Sequence, residues 1–353
     1  MHAAPHTIMK ITDRRTLPRG GQSMPVFGLG GAQLGGLYRA MSDGAAAALL
    51  DAAWNLGIRH FDTAPYYGYT RSEHRLGAAL GPRPRDEFVL STKVGRLFRP
   101  DASVRPGDDG WADPLPFRPR YDYSHDGVMR SIDDSLQRLG IAHVDLLYVH
   151  DIGAVTHGER HDVHWKQLTR GGGFRALEAL RRSGVTRAVG LGVNEWQVAH
   201  ASMREFDLDC TMLAGRYTLL EQAALSPLLD ECLARGNAIV VAGPFNSGVL
   251  AGGNRFNYTA APPDVMERVR MLDSVCREFD VPLPAAALQF PLAHPAVVSC
   301  VAGAHDEAEL AQNIVSFETP IPPGFWSALH QRGLIDGRAP LPAPSLNQPG
   351  CPC

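Results

Sequence analysis

The chain has 353 residues, and 34 Lys plus Arg against 37 Asp plus Glu leave a formal net charge of −3. That balance excludes the basic footprint of a non-specific nucleic-acid binder. A hydrophobic share of 44% with 20% charged residues excludes wholesale disorder. No apolar run approaches the roughly 20 residues of a membrane helix, because the most apolar long stretch, 284–304, is broken by Pro291, His294 and Pro295.

Short apolar runs alternate with segments of helical period along the chain. A first strand is predicted at Val26 to Gly30, then a helix from Asp43 to Asn55 capped by Ser42. Arg59 to Asp62 is the second strand, Ser72 caps a short helix ending near Gly81, and Phe88 to Lys93 is the third strand. Val128, Ile132, Leu136 and Leu139 mark a helix face that Gly140 ends. Val144 to His150 is strand, Phe174 to Arg182 helix, Ala188 to Val193 strand, and Trp196 to Arg204 helix.

Thr211 to Ala214 follows as the sixth strand, and Ser226-Pro227 reads as an N-cap with Pro at the first helical position. Ala238 to Ala242, a long helix from Asp264 to Phe279, Ala296 to Val301 and a helix from Glu307 to Ile314 complete the series. Eight strands, each followed by a helix, is the arithmetic of a single α/β (β/α)8 barrel; a doubly wound open sheet is the alternative. The segment around Gly20-Gly21 reads as an N-terminal hairpin, with the barrel spanning 1–335 and a Pro-rich tail 336–353. Two connections, the irregular stretch Gly95 to Tyr123 and Asp151 to Gly173, are long, and in a barrel both lie on the C-terminal face, where such loops cover an active site.

Three polar residues fall at strand ends: Asp62, Lys93 and His150. Alone, each is better read blandly, the Asp as a cap, the Lys as a solvated charge and the His as a satisfied core group. Together they meet at one rim, and Tyr67 lies five residues beyond Asp62. A phenol ordinarily titrates near 10, and a neighbouring ammonium lowers that value. Asp62 is then expected to orient Lys93, Lys93 to make the Tyr67 phenol more acidic, and His150 to bond the substrate oxygen. Such a group suits proton transfer at a carbonyl or alcohol, with hydride supplied by a cofactor.

These residues resemble the aldo-keto reductase superfamily. The likeness is carried by Phe61 to Gly68 with Ser72-Glu73, Ser91 to Gly95, Asp145 to His150, Gly190 to Trp196, Gly215 to Gln222, and the eighth-strand region up to Asn313. The resemblance implies a nicotinamide-dependent barrel whose tetrad is Asp62, Tyr67, Lys93 and His150, with Tyr67 as acid/base. Within the family the chain looks most like the branch of aldose 1-dehydrogenases, which oxidise L-fucose, D-arabinose, galactose and related sugars to lactones. Residues 156–161 and 215–222 are the local signs, and a similar branch oxidises pyridoxal to its lactone.

The resemblance also implies that Tyr217 stacks on nicotinamide, that Asn194 stands for the usual serine at the carboxamide with Glu195 in place of asparagine, and that Asn313 contacts adenine. Glu309 occupies the position of the arginine that usually grips a 2′-phosphate, and Gly303 that of the usual lysine. A carboxylate repels that phosphate but can accept from a free ribose hydroxyl, so NAD is expected over NADP. The alternatives are pyridoxal oxidation, general aldehyde reduction, or a barrel that binds nicotinamide without turnover.

Weaker signals have simpler readings. Gly28 to Gln33 begins like a dinucleotide fingerprint, but Gln33 replaces its third glycine, and tight turning at the first strand's end explains it better. His157, His161 and His164 share one loop, where a structural role is expected over a metal site. Trp111, Phe117, Tyr121 and Tyr123 read either as an apolar wall for a substrate ring or as packing internal to the third loop. Residues 1–15 lack a signal peptide's apolar core. Cys210 and Cys300 suit reduced, buried thiols, and Cys351-Pro352-Cys353 reads as a frayed tail, so a cytoplasmic protein acting on a small molecule is expected, with neither nucleic acid nor membrane as partner.

Overall fold

The computed structural model describes residues 9–342. Eight parallel strands close into a barrel in chain order: Phe27–Gly30, His60–Asp62, Val89–Val94, Val144–His150, Thr186–Val193, Cys210–Ala214, Ala238–Ala242 and Val297–Gly303. The eighth pairs back onto the first, Cys300 beside Phe27. An antiparallel pair, Arg14–Thr16 with Ser23–Pro25, precedes the barrel. The expected hairpin and all eight strands are therefore present.

The helices form where apolar periodicity and caps coincide. Ser42 accepts from the backbone N–H of Ala45 at the start of Asp43–Asn55. Gly140, in the left-handed conformation, ends His125–Leu139, whose Val128, Ile132 and Leu139 are fully buried. Among the described residues no helix is long and apolar enough to cross a membrane.

Four expectations need correction. Ser72 does not cap its helix, which is Arg71–Leu80 behind Thr70; its hydroxyl instead donates to the Gly31 carbonyl and pairs with Thr63 Oγ1, joining the first two strand ends. Ser226-Pro227 does not open the sixth helix: Ser226 is extended, the bond to Pro227 is cis, and the regular α-helix is Asp230–Arg235. The long third loop is not irregular, since Arg96–Pro100 and Phe117–Tyr121 pair antiparallel within it. The barrel's packing also continues beyond 335, because Ala339 is buried and the backbone N–H of Asp336 donates to Gln222. The Cys-Pro-Cys end lies outside the described residues.

The loop carrying Tyr67 is fixed against the loop after the first strand by two glycines in backbone contact. Gly68 has φ +64°, and a Cβ there would stand 2.3 Å from the carbonyl oxygen of Gly35. A side chain at Gly68 therefore meets both strain and collision. Gly68→Ala is expected to lower unfolding free energy by about 1–3 kcal/mol and reduce turnover by displacing Tyr67. Denaturant melts with parallel kinetics check this; unchanged stability would show that the two loops do not constrain each other.

Candidate active site

Strand register brings the charged side chains to one rim. Asp62 ends the second strand beside Ser91, and Lys93 lies on the third strand beside Tyr148 of the fourth, which in turn neighbours Gly190. Gly192 makes room for the Lys93 stem, since a Cβ there would come within 3.3 Å of Lys93 Cε. Asp62 and Lys93 are both buried.

Lys93 Nζ donates to Asp62 Oδ2 at 2.7 Å, to the Thr63 carbonyl at 2.9 Å and to the Tyr67 hydroxyl oxygen at 3.0 Å. An ammonium has three N–H bonds, so all are used. The Tyr67 oxygen accepts from Lys93, and its own O–H is free to donate into the cavity. Asp62 Oδ1 accepts from the Ser91 hydroxyl at 2.7 Å. Burial pushes the Asp62 carboxyl up, and Lys93 and Ser91 pull it back down. His150 stands across from Tyr67, ring centroids 6.0 Å apart and nearly perpendicular. Burial, then Arg96 and Lys93, hold the imidazole well below its usual value, so it is neutral at physiological pH. Tyr123 donates its hydroxyl to the His150 carbonyl at 2.8 Å, which fixes the strand end.

One electrostatic expectation is reversed. The Tyr67 phenol is not made more acidic: burial drives it well above 10, Asp62 and Asp151 add to the rise, and Arg96 opposes it. Lys93 is already neutralised by Asp62, so little net field remains to offset desolvation.

Tyr67, Lys93 and His150 line a cavity of about 1020 Å³ with Tyr66, Arg96, Trp111, Tyr121 and Asp151. Trp111 and Tyr121 thus form part of the expected wall. Tyr123 is buried behind it, and Phe117 does not line the cavity. A second cavity of about 540 Å³ adjoins, and Tyr67, Asn194 and Arg216 line both. Its walls include Gly303, Glu309 and Asn313, together with the turn Gly243 to Gly248.

The structure does not bring Tyr217 to either cavity. Its ring is buried between Phe290 and His294, and the neighbouring Arg216 faces the space instead, paired with Glu221 at 2.9 Å. Asn194 is present but engaged, donating to Asp151 Oδ1 at 3.0 Å and accepting from the Tyr258 hydroxyl at 3.1 Å. Glu195 accepts from the backbone of Val155. Asn313 donates to the Gly303 carbonyl, which leaves its amide oxygen available.

Sequence reasoning missed two contributors. Arg96 opens the third-loop hairpin and pairs with Asp151 at 2.6 Å. A small hairpin, Arg255–Phe256 with Thr259–Ala260, carries Tyr258 over both cavities. Its signal was the Asn257-Tyr258 pair, both at positive φ as a tight hairpin turn requires. The three loop histidines have local partners: His157 Nε2 lies 2.9 Å from the Tyr123 hydroxyl, His161 Nδ1 meets the Ile152 carbonyl, and His164 Nδ1 meets Gln167. Because Tyr123 gives its one proton to His150, His157 must donate to it.

Residues 26–332 match the aldo/keto reductase family. The chain belongs to that family. It is 50% identical over 340 residues to a pyridoxal 4-dehydrogenase of Microbacterium luteolum, covering 93% of this chain and 99% of that protein. It is 44% identical over 324 residues to a D-threo-aldose 1-dehydrogenase of a Pseudomonas species, covering 89% and 96%. Among solved structures, an aldo-keto reductase of Bacillus halodurans in its holo form superposes with a TM-score of 0.69 at 24% identity, covering 93% and 98%, which speaks for the fold. This family member is an oxidoreductase, and its family uses nicotinamide cofactors. The paired cavities suit a dinucleotide: the smaller is walled by glycine turns and unengaged polar atoms, including Asn313 Oδ1, and it opens onto Tyr67.

Removing Lys93 would leave Asp62 buried without its cation. Lys93→Met is expected to cost about 3–5 kcal/mol of stability, whereas Tyr67→Phe, which loses one hydroxyl contact, costs about 0.5–1.5 kcal/mol. Guanidinium titrations of both variants measure the difference. Equal small losses would mean the pair does not support the rim.

Proposed function

We propose that this protein is an NAD-dependent dehydrogenase that oxidises the anomeric carbon of a neutral cyclic aldose of the L-fucose, D-arabinose or galactose type to its lactone. The observation that carries the reading is Tyr67, held 3.0 Å from a fully engaged Lys93 in the wall of a large cavity. Nicotinamide supplies the hydride acceptor. Tyr67 takes the anomeric hydroxyl's proton when it is phenolate and returns it in the reverse direction. Neutral His150 donates to the reacting oxygen and orients it. Asp62 and Thr63 hold Lys93, and Lys93 holds the phenol oxygen. In this chemistry a positioned proton carrier contributes about 10²–10⁴ in rate.

Pyridoxal is the second reading, favoured by the 50% identical relative and by the aromatic wall of Tyr66, Trp111 and Tyr121. It too reacts as a cyclic hemiacetal that becomes a lactone. The charge of the cavity supports a neutral substrate in either case, because Lys93 is matched by Asp62 and Arg96 by Asp151.

Cofactor preference follows from the smaller cavity. Glu309 lines it and accepts from the backbone N–H of His305 at 2.8 Å, so the carboxylate is fixed there. Arg216, the arginine in its walls, is paired with Glu221, and Arg39 is paired with Asp306. A 2′-phosphate would therefore meet negative charge.

Two measurements test the reading. In a panel of neutral aldoses, pyridoxal and simple aldehydes, run with NAD and NADP at matched low concentration, aldoses lead and NAD exceeds NADP by about tenfold or more. Comparable rates with NADP would overturn the cofactor assignment, and pyridoxal well ahead of every aldose would replace the substrate class. Secondly, the raised proton affinity of Tyr67 makes phenolate scarce at neutral pH. Oxidative kcat/KM is then expected to climb about tenfold per pH unit from about pH 7 to 9, while the reductive direction stays flat. Tyr67→Phe should abolish both; an oxidative plateau near neutrality would show a phenol that ionises easily.

A further inference from the structure

Asp151 follows His150 at the end of the fourth strand, and its backbone is unusual. It sits at φ +43°, a region that residues with a Cβ rarely adopt. Its N–H donates to the Gly192 carbonyl, which holds the turn. Strain of this kind persists where the surroundings enforce it, and it clusters at ligand sites.

The carboxylate faces the larger cavity and is only partly satisfied. Oδ2 accepts from Arg96 Nη2 at 2.6 Å, and Oδ1 from Asn194 Nδ2 at 3.0 Å. A carboxylate offers about four acceptor positions, so capacity remains on both oxygens. Tyr258 fixes the amide of Asn194 from its other end. Arg96 is buried over the Tyr66 ring at 3.9 Å, and its Nε has no partner. The cluster thus offers carboxylate acceptors with no net charge, since Arg96 balances Asp151, which suits hydroxyl groups rather than an anion.

Its distance from the reacting position narrows the choice of hydroxyl. Asp151 Oδ2 lies 3.5 Å from His150 Nε2, too far for a strong mutual bond, so the imidazole N–H and the carboxylate can each serve a separate substrate oxygen. Two oxygens on adjacent carbons, standing gauche, present themselves side by side in this way. We propose that Asp151, buttressed by Arg96 and Asn194, is a specificity-determining residue that accepts a hydrogen bond from the hydroxyl on the carbon next to the reacting one. The inference rests on the aldose reading above and deepens it. An aldose carries that hydroxyl at C2. A 2-deoxy aldose lacks it, and so does the ring carbon next to the hemiacetal carbon of pyridoxal.

The test compares L-fucose and D-galactose with their 2-deoxy counterparts, using native protein, Asp151→Ala and Asp151→Asn. Native protein is expected to favour the parent sugar by about 10- to 100-fold in kcat/KM, as loss of a bond to a charged acceptor implies. In Asp151→Ala that ratio falls to within about threefold. Asp151→Asn keeps an acceptor and a contact for Arg96, so it folds where alanine fails and retains an intermediate preference. If Asp151 only anchors the third-loop hairpin, both sugars lose activity alike and the ratio stays put, which overturns the proposal, as does a native ratio near one. Reduction of propionaldehyde by native protein separates the failures. Turnover there without discrimination between the sugars sinks the role of Asp151 alone, while pyridoxal oxidation with no aldose turnover sinks the aldose reading and this inference with it.

Discussion

The site depends on a buried ammonium whose three hydrogen bonds are all assigned. Lys93 touches the Asp62 carboxylate, the Thr63 carbonyl and the Tyr67 hydroxyl, and each partner comes from the second strand or the loop that follows it. A buried charge tolerates such a place only with a counter-charge and full bonding. The requirement works in both directions. Asp62 and the Thr63 carbonyl fix where Lys93 can be, and Lys93 fixes where the Tyr67 oxygen can be. The rest of the rim preserves this geometry: Gly192 clears a path for the lysine stem, and the Gly35–Gly68 contact sets the height of the tyrosine loop.

A second ion pair repeats the arrangement on the substrate side. Arg96 and Asp151 are also drawn from a loop and a strand end, and they are also largely buried. They differ in what remains free. Lys93 has no donor left for a ligand, whereas the Asp151 carboxylate, which lines the cavity, keeps acceptor capacity beside its bonds to Arg96 and Asn194. The first pair holds the machinery, and the second offers recognition. With the two charges cancelled in each, the aromatic walls of Tyr66, Trp111 and Tyr121 set the remaining character, apolar faces around a few polar points.

The barrel was legible because its evidence is local. Apolar runs of strand length, caps such as Ser42 and a stop such as Gly140 each report on their own neighbourhood, and three tetrad members sit at strand ends whose direction the fold dictates. What escaped was orientation and long-range contact. Ser72 has the composition of a cap, yet a buried Gly31 carbonyl claims its hydroxyl. Tyr217 falls in the right stretch, but its ring turns into the packing of Phe290 and His294, and nothing in residues 215–222 reveals which of two neighbours faces inward. Arg96 reads as a loop cation until the hairpin places it against Asp151, a partner 55 positions away.

The reversed phenol carries the same lesson into energetics. Reading Lys93 and Tyr67 as a pair leads to an acidified hydroxyl, since an isolated cation beside a phenol stabilises phenolate. In the folded protein the cation is not isolated. Asp62 lies 2.7 Å from it, closer than the phenol oxygen at 3.0 Å, and at Tyr67 the repulsion of Asp62 and Asp151 adds to the effect of burial. Desolvation then decides the outcome, and it favours the neutral phenol. The triad therefore does not manufacture a ready base. It holds a proton on Tyr67 beside the cavity, and the phenolate that oxidation requires gains population as pH rises.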